Sequence, residues 1–417
     1  MSIWHINGGN KLGGTCFAQG AKNAALPIMA ATVLCPAETE LLNVPAIADV
    51  GNTLRILRYL GCEAERDGSD VYINSCGMNS CNIPKEMMEG MRSSVIFLGA
   101  LLARCGQARI SLPGGCNLGA RPIDLHLMAL RAMGAEIYED GCEIVCRCDK
   151  LRGGDISFAI PSVGATENAM LAACGAEGTT TIRGAAREPE IEDLQEFMRS
   201  MGAEISGAGT DTIVISGFTP QHHVGHRIMP DRIVCATLAC AAAAAGGDVE
   251  LRGVRPEHFS TVSHLLNMAG CDIITKKRSV RIKSEGLLHG VGTVSTEPYP
   301  GFPTDAQPLL VAALLRARGE SVFVENIFEN RFRYASELAR FGADVTVEGR
   351  RAHIWGVDSL HGAAVSSTDL RGGAAMILAG LAAQGKTTVA DEGHVVRGYD
   401  DLDGKLRMLG ADIFLEQ

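Results

Sequence analysis

The sequence has few aromatic residues, no long apolar run and no excess of basic charge. Aromatic residues make up 5% of its 417 residues, so we expect a core built mainly from aliphatic side chains and alanine. The longest small apolar stretch, 235–245, is well short of the roughly 20 residues that a transmembrane helix needs. The formal net charge of −10 argues against general nucleic-acid binding, which usually requires a basic surface. A local basic cluster for a small anionic ligand is compatible with that charge.

Signals for export and for paired cysteines are also missing. Residues 1–5 show no basic segment followed by an apolar one, so we expect no signal peptide and a cytoplasmic protein. The fourteen cysteines are scattered, which is typical of free thiols in a reducing compartment. Cys142, Cys146 and Cys148 follow the alternation of a β-strand and lack C-x-x-C spacing, so we interpret them as strand thiols and predict no metal site.

A short motif of an apolar residue, a glycine, a small residue and an acidic residue recurs six times. Successive motif glycines lie 73, 68, 68, 72 and 68 residues apart. Each copy follows an amphipathic helical pattern and precedes a β-like run, so each glycine is predicted to end a helix in the left-handed conformation. The motif glycines are Gly61, Gly134, Gly202, Gly270, Gly342 and Gly410.

The repeats predict the domain organisation. Each repeat has the pattern strand, helix, strand, helix, strand, with a further strand that leads to the next repeat. Units of about 70 residues do not bury both faces alone, so they must pack into larger bodies. The simplest division is three and three, giving one lobe of 22–229 and a second of 1–21 with 230–417, completed by the N-terminal strands. The polar segment 221–226 precedes that division, and we expect its histidines, His222, His223 and His226, in a solvated loop rather than at a metal.

Charged residues concentrate where the helices of each repeat are predicted to begin. A helix N-terminus carries partial positive charge and free N–H groups, so a basic residue there opposes the helix dipole and needs another explanation. These residues could converge on phosphate or carboxylate groups, or the arginines could simply face water. First helices begin near residues 22, 92, 164, 231, 304 and 369, and second helices follow Arg121, Arg187, Arg255, Arg331 and Arg397.

Two further motifs suggest catalysis. Cys116 lies in a glycine-flanked segment near Arg121, where a thiol of lowered pKa would suit a nucleophile or a proton donor. A loop cysteine can equally be structural or incidental. Residues 380–387 match the phosphate-loop pattern, but a helix is predicted before them and a strand after them. That order is the reverse of what the phosphate loop requires, so we interpret the match as accidental.

Taken in order along the chain, ten segments resemble the enolpyruvyl transferase family, and within it the bacterial UDP-N-acetylglucosamine 1-carboxyvinyltransferases. The resemblance implies an α/β fold, a two-lobed inside-out α/β barrel with six repeats, three in each lobe. It also implies lobes that close on substrate and no metal or organic cofactor. The segments are 20–27, 112–116, 119–122, 162–166, 186–190, 230–232, 302–305, 329–332, 368–371 and 397–399.

The resemblance implies the reaction and its catalytic residues. Phosphoenolpyruvate would donate its enolpyruvyl group to the 3-hydroxyl of UDP-N-acetylglucosamine by addition and elimination, releasing phosphate in the first committed step of peptidoglycan synthesis. By family likeness, Cys116 is the acid that protonates the methylene carbon and the residue that fosfomycin alkylates. Asp305 is the base for the sugar hydroxyl. Lys22, Arg121 and Arg397 hold the phosphate of phosphoenolpyruvate.

The remaining residues that the resemblance implies bind substrate. Arg92 and Arg371 complete the basic cluster, and Asn23 faces the sugar. At position 160 this chain has Ile160 where some relatives carry a lysine that contacts the nucleotide, so one expected contact is absent. The other predicted binding residues are Pro122, Ile123, Asp124, Leu125, Ser162, Val163, Gly164, Asp231, Ile327, Phe328, Arg331 and Asp369.

Two rival functions stay open at this point. The shikimate-pathway enolpyruvyl transferase shares the fold and the donor, but its acceptor pocket does not require a loop thiol such as Cys116. A non-catalytic scaffold could use the same repeats, but it would have no reason to keep Lys22, Asp305 and Arg397 together.

Overall fold

The structure, a computed structural model, describes residues 2–88, 92–111, 123–218 and 223–416. The predicted site residues Cys116, Arg121 and Pro122 lie outside the described residues, as does the side chain of Arg92. The described residues of 20–229 form one compact unit, called the first unit here, and those of 2–19 and 230–416 form the second unit. That these units act as closing lobes with the bounds 22–229 and 1–21 with 230–417 stays a prediction.

Thirteen α-helices, six short 3-10 turns and 24 strands are found in the described residues. The helices are α1 Lys22–Ala31, α2 Ala48–Tyr59, α3 Lys85–Met88, α4 Phe97–Cys105, α5 Asp124–Ala132, α6 Val163–Cys174, α7 Pro189–Ser200, α8 Arg232–Ala245, α9 Ser260–Met268, α10 Gln307–Leu314, α11 Ala335–Ala339, α12 Leu370–Ala382 and α13 Leu402–Met408. The 3-10 turns are Thr32–Leu34, Arg92–Ile96, Pro256–Phe259, Thr304–Ala306, Arg331–Tyr334 and Val395–Arg397.

The strands are short and follow the repeats. They are β1 Ser2–Asn7, β2 Leu12–Phe17, β3 Glu38–Leu42, β4 Glu63–Asp67, β5 Asp70–Asn74, β6 Asn82–Ile83, β7 Gln107–Ser111, β8 Glu136–Asp140, β9 Glu143–Arg147, β10 Asp155–Ser157, β11 Thr179–Arg183, β12 Glu204–Ser206, β13 Thr212–Ser216, β14 Val224–Arg227, β15 Gly247–Arg252, β16 Asp272–Lys276, β17 Ser279–Ser284, β18 Gly292–Ser295, β19 Glu320–Val324, β20 Asp344–Glu348, β21 Arg351–Trp355, β22 Ala364–Ser366, β23 Lys386–Asp391 and β24 Asp412–Glu416.

Each repeat places its first helix in the interior, because that helix is apolar on nearly every side. In α8 every side chain from Arg232 to Ala244 is buried, and six of these thirteen residues are alanine. Alanine combines the highest helix propensity with a small side chain, which lets three helices pack closely. In the second unit α8, α10 and α12 pack against one another, and in the first unit α4 packs against α1 and α6.

Six four-stranded sheets share one topology. In every sheet an edge strand runs parallel to its neighbour, and the other two pairs of strands are antiparallel. Buried and exposed residues alternate along the central strands, as expected of sheets with one face on a core. Interior helices and outer sheets in each unit are the predicted inside-out α/β barrel, so the fold class and the six repeats are confirmed.

The motif glycines end helices as predicted. All six have positive φ angles, between 83° and 102°, in the left-handed region that side chains with a Cβ atom rarely adopt. The chain therefore turns from the second helix of each repeat into the next strand at a position where only glycine is free of strain. This single constraint explains why the motif keeps its glycine in every repeat.

The strands at the chain ends pair within the second unit. Strand β1 lies between β23 and β24, so that Ile3 is opposite both Ala390 and Glu416. Strand β2 runs parallel to β15. The last repeat is thus completed by the first strand of the chain.

The expectation of a solvated loop at 221–226 is wrong for its described part from residue 224 onward. Val224–Arg227 forms β14, parallel to β3. The His226 ring is mostly buried, with Nε2 3.4 Å from Asp193 Oδ1 and its plane at 75° to the Phe197 ring. His223 is exposed, and His222 lies outside the described residues. The segment was misread because a four-residue polar edge strand carries no hydrophobic alternation.

Two other sequence motifs can be compared with the structure. Helix α12 ends at Ala382 and β23 begins at Lys386, which confirms that 380–387 is not a phosphate loop. Strand β9 contains Cys146, which is buried, as predicted for a strand thiol, whereas Cys142 and Cys148 lie just outside the strand. Within the described ranges no group of residues could hold a metal ion. No helix of those ranges combines the length and apolar character needed to span a membrane.

Candidate active site

Three aspartates lie at equivalent positions in the second unit, where α8, α10 and α12 begin. Asp231 and Asp369 are N-cap residues, and each accepts hydrogen bonds from two backbone amides of its helix at 2.8 to 3.1 Å. Such caps satisfy amides that have no partner within the helix. Both carboxylates are nearly buried. The carboxylates of two of the three aspartates are therefore engaged in capping the starts of their helices.

Asp305 differs from the other two. It lies within the 3-10 turn Thr304–Ala306, where Pro303 takes the cap position and no side chain caps the turn. Its Oδ1 accepts a hydrogen bond from Arg331 Nη2 at 2.8 Å, and its Oδ2 accepts two from Arg371 at 3.3 Å. The arginine side chains are 1% and 3% exposed, whereas that of Asp305 is 30% exposed. Two buried cations thus favour an ionised carboxylate that solvent and small molecules can reach.

Arg371 is held as a buried cation. Burial by itself lowers the pKa of Arg371, but Tyr399, Asp305 and Asp231 raise it by more, so the pKa is raised overall. Burial raises the pKa of Tyr399 against the lowering effect of Arg371. The Tyr399 ring lies 5.2 Å from the guanidinium carbon, and its hydroxyl is 2.9 Å from Thr237 Oγ1. At neutral pH the pair is therefore a charged guanidinium beside a neutral phenol.

The arginines at helix starts divide between the two explanations, and Arg331 belongs to the cluster around Asp305. Its Nε and Nη2 donate to the Thr304 carbonyl at 3.1 and 2.8 Å, and its guanidinium carbon lies 5.7 Å from the Phe328 ring centre. Arg331 is thus buried in the aspartate cluster. Arg187 and Arg255 are exposed, as the water-facing explanation expects. Arg397 is half-buried at the end of its 3-10 turn.

In the first unit Lys22 forms an ion pair with an aspartate that the sequence analysis did not single out. Helix α1 begins at Lys22, and Lys22 Nζ lies 2.5 Å from Asp49 Oδ2. The lysine side chain is 11% exposed and that of Asp49 is 1% exposed. Asp49 stands in the first turn of α2, where the helix dipole favours an acidic residue. The ion pair explains how α1 tolerates a cation at its N-terminus, while Asn23 beside it is exposed.

The segment Ser162 to Gly164 begins α6. Ser162 Oγ caps the helix by accepting a hydrogen bond from Ala165 N at 3.4 Å. Gly164 packs against His126, and a Cβ atom at position 164 would lie only 3.0 Å from His126 Cε1. A side chain at position 164 would crowd that ring, so glycine suits this close approach. Ile123 and Leu125, from the same part of the chain as His126, are half-buried, and Asp124 is exposed.

His126 was also missed by the sequence analysis. Burial lowers the pKa of His126 to about 4, so the ring is neutral at pH 7. Its Nδ1 lies 3.0 Å from Asn168 Nδ2, and Asn168 Oδ1 accepts a hydrogen bond from Gly99 N. The neutral His126 ring accepts a hydrogen bond from the Asn168 side-chain amide. Asn168 of α6 thus links His126 of α5 to Gly99 of α4. Neither Asp49 nor His126 carries a local sequence signal beyond an acid in a first helical turn, because their partners are distant along the chain.

Of the predicted residues, the second unit brings Asp305, Arg331, Arg371 and Asp369 together, since Arg331 Nη1 also lies 3.9 Å from Asp369 Oδ1. Asp231 contributes to the same electrostatic environment through Arg371. Ile327 is 39% exposed and Phe328 is half-buried beside Arg331. The cluster therefore places the carboxylates of Asp305 and Asp369 beside the buried guanidinium groups of Arg331 and Arg371. Such a carboxylate can accept a proton and orient a hydroxyl.

A comparison with known families and proteins gives consistent matches. A model of the EPSP synthase family (3-phosphoshikimate 1-carboxyvinyltransferase) matches residues 6–406. A UDP-N-acetylglucosamine 1-carboxyvinyltransferase of Geotalea uraniireducens is 48% identical over 408 residues, covering 98% of each chain. UDP-N-acetylglucosamine 1-carboxyvinyltransferase 2 of Caldanaerobacter subterraneus subsp. tengcongensis is 46% identical over 413 residues, covering 99% of each.

Solved structures match over the whole chain as well. The enolpyruvyl transferase NikO from Streptomyces tendae has a TM-score of 0.90 at 25% identity, covering 100% of this chain and 99% of its own. An EPSP synthase from Acinetobacter baumannii has a TM-score of 0.75 at 21% identity over the full length of both chains. The latter likeness shows the shared fold alone.

Proposed function

Because the chain belongs to the enolpyruvyl transferase family, we propose that it transfers the enolpyruvyl group of phosphoenolpyruvate to the 3-hydroxyl of UDP-N-acetylglucosamine, releasing phosphate. The observation that carries this proposal is the 46–48% identity to relatives of that name over 98–99% of the chain. The protein is then a transferase of the first committed step in peptidoglycan synthesis. It serves cell-wall biogenesis, and through it cell shape and cell division.

Asp305 is proposed as the general base. Addition of the sugar hydroxyl to C2 of phosphoenolpyruvate needs a base on the hydroxyl and a proton for C3. The paired contacts to Arg331 and Arg371 support this role, since they keep the carboxylate in one orientation while part of it stays exposed. Positioning of this kind removes much of the entropic cost of bringing the groups together.

The basic residues are proposed to stabilise the charge of the intermediate. Addition produces a tetrahedral ketal that carries both a phosphate and a carboxylate, and fixed cations stabilise such an anion better than reorienting water does. Lys22, Arg121 and Arg397 are assigned to the phosphate, with Arg92 and Arg371 beside them. The near-complete burial of the Lys22–Asp49 pair supports a fixed position for that cation.

Cys116 is proposed to protonate the methylene carbon and to form covalent adducts. Elimination then removes a proton from C3 and expels phosphate, which restores the double bond of the enol ether. Each step is a proton transfer or a change at a C–O bond, so side chains suffice and no metal or organic cofactor is needed. The acceptor is assigned to Asn23, Pro122, Ile123, Asp124, Leu125, Ser162, Val163, Gly164, Asp231, Ile327, Phe328 and Asp369.

The partners and the location follow from this activity. The substrates are two small molecules, and we assign the protein no nucleic-acid or membrane partner. We place it in the cytoplasm, where nucleotide sugars and phosphoenolpyruvate are made.

Phosphate release from phosphoenolpyruvate tests the proposal directly. The purified protein is given phosphoenolpyruvate with UDP-N-acetylglucosamine or with shikimate 3-phosphate. We expect release only with the nucleotide sugar. Release with shikimate 3-phosphate would move the acceptor to the rival pathway, and release with neither would leave the family's fold without this activity.

A further inference from the structure

Glu325 is a fully buried carboxylate with a hydrogen-bond donor at every side. It directly follows β19 and is 0% exposed. Its Oε1 accepts from Thr296 Oγ1 at 3.0 Å and from the amides of Ile327 and Phe328 at 2.9 and 3.0 Å. Its Oε2 accepts from Thr304 Oγ1 at 3.0 Å. A buried carboxylate is costly unless donors replace its water, and these four donors do so.

Three of the four donors belong to two segments that carry predicted site residues. Thr304 directly precedes Asp305, and its carbonyl is held from the other side by Arg331. Ile327 and Phe328 are proposed to bind the acceptor. One carboxylate therefore ties the residue before the base to the backbone of the acceptor-binding segment. A shift of either segment would break hydrogen bonds to Glu325.

The last repeat provides a matched position. Asp391 is the last residue of β23, and Glu325 directly follows β19. The two positions are equivalent in their repeats, because each strand directly follows a glycine with positive φ, Gly385 and Gly319 respectively. Asp391 is also 0% exposed and accepts hydrogen bonds from the amides of His394 and Val395 at 2.8 and 3.1 Å. Its turn leads to Arg397 instead of to the acceptor segment. The two carboxylates thus share a structural role in the repeat but hold different segments.

We propose that Glu325 is a positioning residue that fixes Asp305 and the segment 326–328 in one geometry for the acceptor sugar. This inference rests on the proposed function for its substrate. Glu325 acts through hydrogen bonds to Thr304, Ile327 and Phe328 and does not itself exchange a proton with substrate.

Two variants at position 325 separate hydrogen bonding from charge. In Glu325→Ala, we expect kcat to fall by about 10- to 100-fold, because a misplaced base costs that much. We expect the KM for UDP-N-acetylglucosamine to rise and the KM for phosphoenolpyruvate to change by less than about two-fold. In Glu325→Gln, the amide oxygen can accept the three Oε1 bonds and the amide nitrogen can donate to the Thr304 hydroxyl oxygen. We expect Glu325→Gln to keep kcat within about three-fold of the wild type.

Asp391→Ala is the matched comparator, because it removes an equally buried carboxylate from the same place in another repeat. We expect Asp391→Ala to raise the KM for phosphoenolpyruvate, because the turn that Asp391 holds ends at Arg397. If Asp391→Ala raises the KM for UDP-N-acetylglucosamine as Glu325→Ala does, the effect is general destabilisation and the proposal is overturned. Glu325→Gln that is as impaired as Glu325→Ala would overturn it too.

Thr304→Val keeps the proposal testable if Glu325→Ala does not fold. It removes one donor to Glu325 at a half-buried position next to the base, and we expect kcat to fall by about three-fold or more. An unchanged kcat in folded Thr304→Val would contradict the link to Asp305.

Hydrogen exchange gives a readout that does not depend on activity. The amides of Ile327 and Phe328 should exchange faster in Glu325→Ala than in the wild type, while those of His394 and Val395 keep their rates. If the wild type turned over no substrate, the proposed function would fail while this test of the positioning contacts would still stand. Unchanged exchange at 327 and 328 would refute those contacts themselves.

Discussion

The two units build the same interior of three helices but place different groups where those helices begin. In the second unit each helix start carries an aspartate, and two of the three serve as N-caps. In the first unit α1 begins with Lys22, and α6 is capped by Ser162. The first unit thus presents a cation paired with a buried acid, whereas the second presents an acid paired with buried cations. The two units thus have helix starts at equivalent positions of the repeat, but the residues at those positions differ in charge, as Lys22 and Asp305 show.

Asp305 shows how one repeat position changes its role. A 3-10 turn precedes α10, so Asp305 lies inside the turn instead of before the helix. Its carboxylate is thereby released from the amides that engage Asp231 and Asp369, and two arginines take their place. A carboxylate oxygen that accepts hydrogen bonds from the amides of a helix start is less available to contact a substrate. Asp305, the aspartate that does not cap, is the one we propose as the base.

Alkylation of Cys116 should give the largest effect. We expect fosfomycin to remove all turnover by modifying Cys116 and to spare Cys62 in the first unit and Cys271 in the second, because burial raises the pKa of both thiols to about 11. A thiol with so high a pKa is almost wholly protonated at pH 7 and reacts slowly. Peptide mass spectrometry after treatment identifies the adduct. An adduct on a buried thiol of either unit, or inactivation without one on Cys116, would contradict this assignment.

Asp305→Asn should affect turnover far more than binding. The amide keeps the shape but cannot act as a base, so we expect kcat to fall by about 10²- to 10⁴-fold with little change in nucleotide-sugar affinity. Steady-state kinetics and titration calorimetry measure the two quantities. Asp231→Asn is the control, since asparagine caps a helix about as well as aspartate. A comparable loss of kcat in both variants would contradict the proposed difference between the capping Asp231 and Asp305 as the base.

Lys22→Met should destabilise the first unit as well as remove activity. It leaves Asp49 buried without its cation, which costs about 3 kcal/mol in comparable buried pairs. Urea unfolding measures this loss. The double variant Lys22→Met with Asp49→Asn should regain stability but no turnover. If the double variant were as unstable as Lys22→Met, the ion pair would not be the source of the loss.

The pH dependence of His126 should give the smallest effect. Its pKa is lowered from 6.5 to about 4 in the folded state, so the unfolded state binds the proton first as the pH falls. Stability is therefore lost below about pH 6.5, by about 2 kcal/mol between pH 7 and pH 5. Unfolding of the wild type and of His126→Gln at both pH values measures the difference. Equal pH dependence in the two proteins would refute this contribution.

The comparison with His126→Gln is needed because a neighbouring group acts in the opposite direction. Burial, with Glu190 and Glu188 nearby, raises the pKa of Glu167 well above its usual range. A carboxyl group with a raised folded pKa favours the folded state at low pH and loses that contribution as the pH rises. Only the difference between the two proteins isolates the histidine.

The repeat architecture was predictable because it rests on local constraints. A left-handed glycine after an amphipathic helix is visible in the sequence, and all six positions have the predicted conformation. The interior helices were visible for the same reason, as runs rich in alanine and leucine. Strand β14 was missed because its pairing with β3 depends on residues about 185 positions away in the chain.

Much of the candidate site could be located from the sequence, but its contacts could not. Arg187 and Arg331 stand at equivalent helix starts, yet one is exposed and the other is buried beside Asp305. Asp49, His126 and Glu325 act through partners on other elements, so their own surroundings in the sequence carry no signal. Burial and pairing are properties of the packed chain, and a single sequence without an alignment does not contain them in readable form.

Strand β1 between β23 and β24 has a consequence for synthesis on the ribosome. The first unit has all its strands once residue 227 has emerged, whereas the last sheet of the second unit needs residues 412–416. At about 5 to 20 residues per second, β1 waits roughly 20 to 80 seconds for its outer neighbour. During that time Trp4 and Ile6, which are buried in the folded chain, belong to a strand without a sheet. Until residues 386–391 have been made, β1 therefore has neither of the two strands that it pairs with in the folded chain.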